Sequence, residues 1–318
     1  MQTDGTVDGA QAAGRLAIAF STLALLSFGL IVLGALVRAH GAGLACPDWP
    51  LCFGQLVPPL DLKVGFEWTH RLVAGGVSIV FAILAVSSLR QPATGAATRR
   101  LLAVAAALLV VQVILGGLTV LRLLAPWTVT SHLLTGNAFA AALLLIALQL
   151  REDAAPRARR AASASDRFAV TLPAVLLVLQ IGLGGLVSSN YAGLACEQWP
   201  TCNDGVFFPS FAGAVGLQLA HRLAAYALLA ALVYAALATR RQPELARITG
   251  LALALGLLQI GVGVANVLLR TPVEITGLHT GLAAALVLTL SFAVREVVLR
   301  ERPSHGAPHG ALSDARPS

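Results

Sequence analysis

The chain has 318 residues, 57% of them hydrophobic and 12% charged, with a formal net charge of +7. A soluble domain carries about twice that share of charge, which excludes a large water-soluble core and indicates an all-α polytopic membrane protein. Once its arginines are placed, the basic excess excludes nucleic acid as a partner and reports topology and anionic lipid headgroups instead.

Apolar stretches long enough to span a bilayer recur eight times, at roughly 16–37, 71–89, 101–121, 128–150, 168–188, 217–239, 248–269 and 274–294. Residues 1–15 read as a polar cytoplasmic tail, expected to be disordered over 1–14. The first span is too long for a cleaved signal peptide and runs into a glycine-rich loop without a cleavage site. It ends at Gly34-Ala35-Leu36-Val37-Arg38, and the loop carries His40, Cys46-Pro47-Asp48-Trp49-Pro50-Leu51-Cys52 and then Glu67-Trp68-Thr69-His70-Arg71. The third span ends in Gln112-x3-Gly116-Gly117, and the fourth carries His132. The Arg/Ala/Ser-rich segment 151–167 is the longest cytoplasmic connection and divides the chain, because the pattern restarts after it. The fifth span ends in Gln180-x3-Gly184-Gly185. Ala192-Gly193-Leu194-Ala195-Cys196 and Trp199-Pro200-Thr201-Cys202 then repeat the first loop. Gln218-Leu219-Ala220-His221-Arg222 repeats the segment from Glu67 to Arg71. The seventh span carries Gln259-x3-Gly263, the eighth His279, and 296–318 reads as a polar cytoplasmic tail whose His305 and His309 are solvated.

The connections 90–100, 151–167 and 240–247 hold eleven arginines and the two tails, counted with Arg295, five more, against six basic residues on the opposite side. The positive-inside rule places both termini and those connections in the cytoplasm. The cysteines then lie on the outer, oxidising side. Four cysteines allow three connectivities. The local pairs Cys46–Cys52 and Cys196–Cys202 are favoured, either as loop staples or as labile redox centres.

The repeat resolves into four hairpins, each an odd helix with glycine near its outer end and an even helix with histidine near its outer start. Each half keeps the same orientation, so a two-fold axis along the membrane normal is expected to relate two four-helix bundles, 16–150 and 168–295. His70, His132, His221 and His279 each precede a closing arginine (Arg90, Arg151, Arg240, Arg295) by sixteen to twenty residues. At 1.5 Å per residue, all four lie roughly 24–30 Å from the cytoplasmic arginines, at one depth. Ionisable groups inside membrane helices are functional by default. Zinc wants three or four protein ligands. Two histidines per half suit haem iron better, because the porphyrin supplies the equatorial nitrogens. Glycines 116, 117, 184, 185 and 263 either admit a flat macrocycle or serve close helix packing. Arg71 and Arg222 are candidates for haem propionates, or for interfacial anchoring. Glu67 shares a helical face with His70, whereas the second half has Gln218 there. A carboxylate beside one site and an amide beside the other points to chemistry in the first half and a permanent haem in the second. The alternative is that Glu67 caps its helix.

These motifs together make the chain resemble the haem A synthase family over about 16–295. The resemblance implies eight transmembrane helices in two pseudo-symmetric bundles in a bacterial cytoplasmic membrane, the cysteine loops being of the bacterial type. It implies haem b as cofactor on His221 and His279. It implies haem O as substrate on His70 and His132, and Glu67 as an acid needed for activity. The reaction implied is two oxygen-dependent hydroxylations of a methyl group followed by loss of water, giving a formyl group. An electron donor of unspecified identity is required, haem O synthase is a candidate partner, and an oligomer is compatible. His40 departs from the family pattern and adds a fifth outer histidine. Two other classes remain open: a b-type electron-transfer protein, which needs no asymmetric acid, and a quinone-coupled disulfide oxidase using both cysteine pairs.

Overall fold

The computed structural model describes residues 3–92, 94–155 and 162–299. Among them, eight helices are long and apolar enough to cross a membrane, and the only other elements are a short 3₁₀ turn and two isolated bridges. They are α1 (Thr3–Ala39), α2 (Leu62–Leu89), α3 (Ala96–Leu121), α4 (Pro126–Ala154), α5 (Ala164–Ser189), α6 (Gly213–Thr239), α7 (Pro243–Leu268) and α8 (Val273–Leu299).

Local chemistry sets several of these ends. The Asp61 side chain accepts from the Val64 N–H and caps α2. Ser163 and Asp166 form a reciprocal capping box on α5. Pro126 and Pro243 open α4 and α7, where a missing N–H costs nothing. Hydropathy locates spans rather than helices, and the differences follow from that. The expected disorder over 1–14 is not found from Thr3 onward: α1 already includes that segment, in which Ala10, Gln11, Ala12 and Ala13 are good helix formers. α2 begins nine residues before the apolar run does, because Lys63, Glu67 and Arg71 interrupt hydropathy but not the backbone. α8 continues to Leu299, past the expected start of a tail at 296. Residues 156–161 of the linker, and the tail from 300 with His305 and His309, lie outside the described residues.

α1 packs on α2 and α4, and α4 on α3, whereas α2 and α3 scarcely meet. In the second half α5, α6, α7 and α8 close into a complete ring. The halves join through α1 on α8, α4 on α5 and α4 on α8. Exchanging the halves leaves the set of packed pairs unchanged except at the α2–α3 seam. The first bundle is filled by Phe20, Phe81 and Phe139, with Phe81 edge-on to both others at centroid distances of 6.5 and 5.5 Å. The second is filled by Leu177, Leu228, Leu232, Leu286 and Leu290. In lipid, such packing rather than water exclusion holds helices together.

Candidate functional site

The four histidines have one structural setting, repeated. Each packs its ring edge on the glycine near the end of the preceding helix. A Cβ built on Gly34 would stand 3.1 Å from Cε1 of His70, and on Gly116 3.2 Å from His132. The corresponding values are 3.0 Å for Gly184 on His221 and 3.0 Å for Gly263 on His279. Only a residue without Cβ lets the ring sit there without displacement. Gly117 and Gly185 serve other contacts, with Trp49 and Thr130. The space beside the glycines is therefore taken by imidazole, and Gly34 completes a set in which only three members had been singled out.

Within each bundle the histidines form a pair. α2, which carries His70, and α4, which carries His132, lie across the first bundle, each packed on α1. α6 and α8, which carry His221 and His279, are each packed on α5 in the same way. Nδ1 of His70, His132 and His279 is buried and has no hydrogen-bond partner among the described residues. A merely structural core histidine would be expected to satisfy it. Among the described residues no three or more His, Cys, Asp or Glu side chains converge as a metal cage. Two-ligand sites with the remaining positions supplied by a macrocycle fit this donor set.

Three histidines have a glutamine amide beside them, one turn before the cradling glycine. Gln112 Nε2 lies 3.3 Å from His132 Nε2, Gln180 Nε2 3.2 Å from His221 Nδ1, and Gln259 Nε2 3.3 Å from His279 Nε2. The first hairpin has Leu30 at that place, so His70 lacks this contact. The Gln-x3-Gly spacing was visible in the sequence; its role and its interruption at Leu30 were not.

Glu67 is buried, at 4% exposure. It does not cap α2, since Asp61 does. Its carboxylate accepts from the Cys46 N–H at 2.8 Å and pairs with Arg71 at 2.5 Å. Arg71 also donates to the carbonyls of Asp48, Leu51 and Cys46, and Trp68 donates to Leu56 O. Three residues on one end of α2 thus grip the first cysteine loop. In the second half Gln218 donates to Gly193 O, and its Oε1 is buried without a partner among the described residues. Arg222 donates to the carbonyls of Thr201 and Cys196. Arg71 uses four of its five N–H donors this way and Arg222 two.

The disulfides join Cys46 to Cys52 and Cys196 to Cys202. Each loop closes on a two-residue turn, Phe53-Gly54 and Asp204-Gly205, with positive φ at both positions. Asp48 accepts from the N–H groups of Phe53 and Gly54 at 2.7 and 2.8 Å. The Gly54 N–H, with Phe53 and Arg71 helping, holds its carboxyl below the ordinary value against partial desolvation. His40 stacks on Phe66 at 4.2 Å and contacts Leu36 O through Nδ1, so it packs between the end of α1 and the start of α2 and not with either pair. Arg38 bridges the halves, hydrogen-bonded to Ser188 and lying over the Tyr191 ring at 5.0 Å.

Fold and site together define a multi-pass helical membrane protein with a histidine pair in each of two four-helix bundles. The family model described as cytochrome oxidase assembly protein matches residues 17–64 and 62–291, and the chain belongs to that family. It is similar to proteins named haem A synthase: 32% identical to one from Shewanella oneidensis, covering 82% of this chain and 90% of that protein. It is 31% identical to one from Shouchella clausii over 86% and 93% of the two chains. It is 32% identical to one from Geobacillus kaustophilus over 92% and 94%.

Proposed function

We propose that this protein makes haem A by oxidising a methyl substituent of haem O to a formyl group. On this reading haem O occupies the first bundle on His70 and His132, and haem b resides in the second on His221 and His279. The observation that carries it is the asymmetry between otherwise matched sites: a buried carboxylate, Glu67, one turn from His70, against Gln218 one turn from His221. Likeness to named haem A synthases over most of the chain supports it.

The iron–porphyrin group supplies the oxygen and electron chemistry that amino-acid side chains lack. The chain's own residues do the rest. Gly34, Gly116, Gly184 and Gly263 set the imidazoles at one level. Gln112, Gln180 and Gln259 restrain three of them, and the absence of such an amide at Leu30 leaves His70 the least restrained, as a site that exchanges its occupant requires. Glu67 holds or moves a proton beside His70, and through Arg71 it keeps the cysteine loop over the site. Arg222, with more free donors than Arg71, is the better-placed partner for a propionate.

The arginine asymmetry supports a bacterial cytoplasmic membrane location with both termini inside and the histidine pairs near the outer face. Haem O synthase as donor of substrate, and a separate electron donor, complete the proposal. The test is haem extraction and optical spectroscopy of purified variants. His221→Ala and His279→Ala should each remove the low-spin b-type signal. His70→Ala and His132→Ala should keep it and yield no haem A. Full haem b in both second-half variants would overturn the assignment.

A further inference from the structure

We propose that the seam between α2 and α3 is a lateral portal into the first histidine site, and that the prenyl tail of the substrate porphyrin lies in it. This deepens the function proposed above and rests on it.

The first bundle has few ways out. Toward the arginine-rich end its interior is filled by the buried Phe20, Phe81 and Phe139 cluster with Leu143 and Ile146. At the other end the cysteine loop is fastened across α2 by Glu67, Trp68 and Arg71. On the sides, α1–α2, α1–α4 and α3–α4 are packed seams, and α2–α3 is not. A flat ring with a long apolar tail, held between His70 and His132, must send the tail through a side. A transmembrane seam opening on lipid is the one that accepts it without exposing it to water.

The second bundle closes the same seam, and residue by residue the difference has a cause. Aligning the histidine and glycine positions of the two halves sets Phe81 against Leu232 and Leu109 against Gly256. In the second half Leu232 sits so tightly on Gly256 that a Cβ there would meet its Cδ1 at 2.5 Å. In the first half Leu109 stands where that glycine would be, and Phe81 turns inward to Phe20 and Phe139. Nearer the arginine-rich end, Thr239 and Thr249 join α6 to α7 through a 2.8 Å hydroxyl contact. Their counterparts are Ser88, which bonds back to its own helix at Leu84 O, and Leu102, which has no hydroxyl. The loop tryptophans differ too. Trp49 lies on Gly117 of α3, within a loop whose Asp48 and Leu51 carbonyls are held by Arg71 of α2, so the loop spans the seam at its end. In the second half Val264 replaces that glycine, and Trp199 instead donates to Tyr226 on α6. A bundle that must admit and release its occupant is open; one that keeps its occupant is sealed.

The experiment uses the full chain in nanodiscs carrying its resident haem, with haem O as the probe and tail-free protohaem as comparison. Phe81→Cys with Leu109→Cys places a cross-link across the seam at the level where Leu232 meets Gly256 in the other half, and Leu232→Cys with Gly256→Cys is the control. Copper phenanthroline closes either pair and leaves the native disulfides formed. Cross-linking the first pair should slow haem O uptake by about tenfold or more, as expected when a gating motion is blocked, and the control should not change it. Equal uptake before and after cross-linking would refute the portal. Should the first pair fail to fold or to close, benzoylphenylalanine at Leu109 decides. Irradiation should then give about tenfold more adduct with haem O than with protohaem, given continuous apolar contact with the tail. Adducts with lipid alone would overturn the proposal. If the uncross-linked, unsubstituted protein takes up no haem O, the substrate reading itself fails, an outcome distinct from uptake that ignores the cross-link.

Discussion

Replacing Glu67 by Gln tests the catalytic reading and the loop-latch reading at once. The carboxylate makes two charge-assisted contacts at 4% exposure, with the Cys46 N–H and with Arg71. A glutamine oxygen can keep the first, but its NH₂ then faces the Arg71 donors. Hydrogen bonds to charged groups contribute about 1.5–3 kcal/mol each, so loss of one corresponds to a roughly ten- to hundredfold rise in the opening of the loop. Arg71 retains three carbonyl acceptors, and the disulfide is untouched, so the helices should remain folded. Haem A should fall further, by about 10²–10⁴-fold, if the carboxylate also moves a proton. Haem extraction and chromatography from expressing cells measure the product, and hydrogen exchange of residues 42–60 measures the latch. Arg71→Leu separates the two roles, because it loosens the loop while leaving the carboxylate. A loop opened further by Arg71→Leu, which removes three carbonyl contacts, but a much deeper loss of haem A in Glu67→Gln, is the expected result. Normal haem A from Glu67→Gln would reduce Glu67 to a loop anchor. Gln218→Glu should change turnover little.

Gly263→Ala pushes a methyl to 3.0 Å from His279 Cε1 and should lower the b-type haem content of the purified protein severalfold, whereas Gly250→Ala, with open space around it, should not. Leu30→Gln supplies the missing amide; the haem-O-loaded first site should shift toward a fully low-spin spectrum and exchange its haem more slowly, and an unchanged spectrum would remove the amide from the argument. The depressed Asp48 carboxyl contributes loop order that is complete above its ordinary value of 3.8 and lost only as pH falls through the lower folded value. Asp48→Asn should therefore deprotect the Phe53 and Gly54 amides at neutral pH, and the native protein should show the same deprotection only in strong acid.

Eight spans, four hairpins and the four histidines were legible because each rests on a regular signal, an apolar run or a repeat. Helix starts were not. Lys63, Glu67 and Arg71 lower the hydropathy of α2's first turns while the Asp61 cap fixes its true beginning. The pairing of each histidine with its own hairpin's glycine was half visible, since spacing shows that both stand near one end but not that one ring fills the other's missing side chain. The use of Arg71 and Arg222 on loop carbonyls was invisible, because backbone acceptors leave no mark in a sequence. The open α2–α3 seam could have been read from Leu109 opposite Gly256, but only with the two halves aligned and the contact known.

α4 touches α1, α3, α5 and α8 and is buried along most of its length, including Thr128, Thr130, Asn137 and Gln149. It lends Leu133 and Leu134 to the leucine cluster of the other half, and Leu148 O and Glu152 to Arg295. During synthesis this helix therefore enters the bilayer with α1 and α3 already present but one span before α5 and four before α8, with polar side chains facing lipid until those two arrive. The first half is not an autonomous unit of assembly. Residues 1–155 expressed alone should be degraded or aggregate, and co-expression with 156–318 as a separate chain should rescue them.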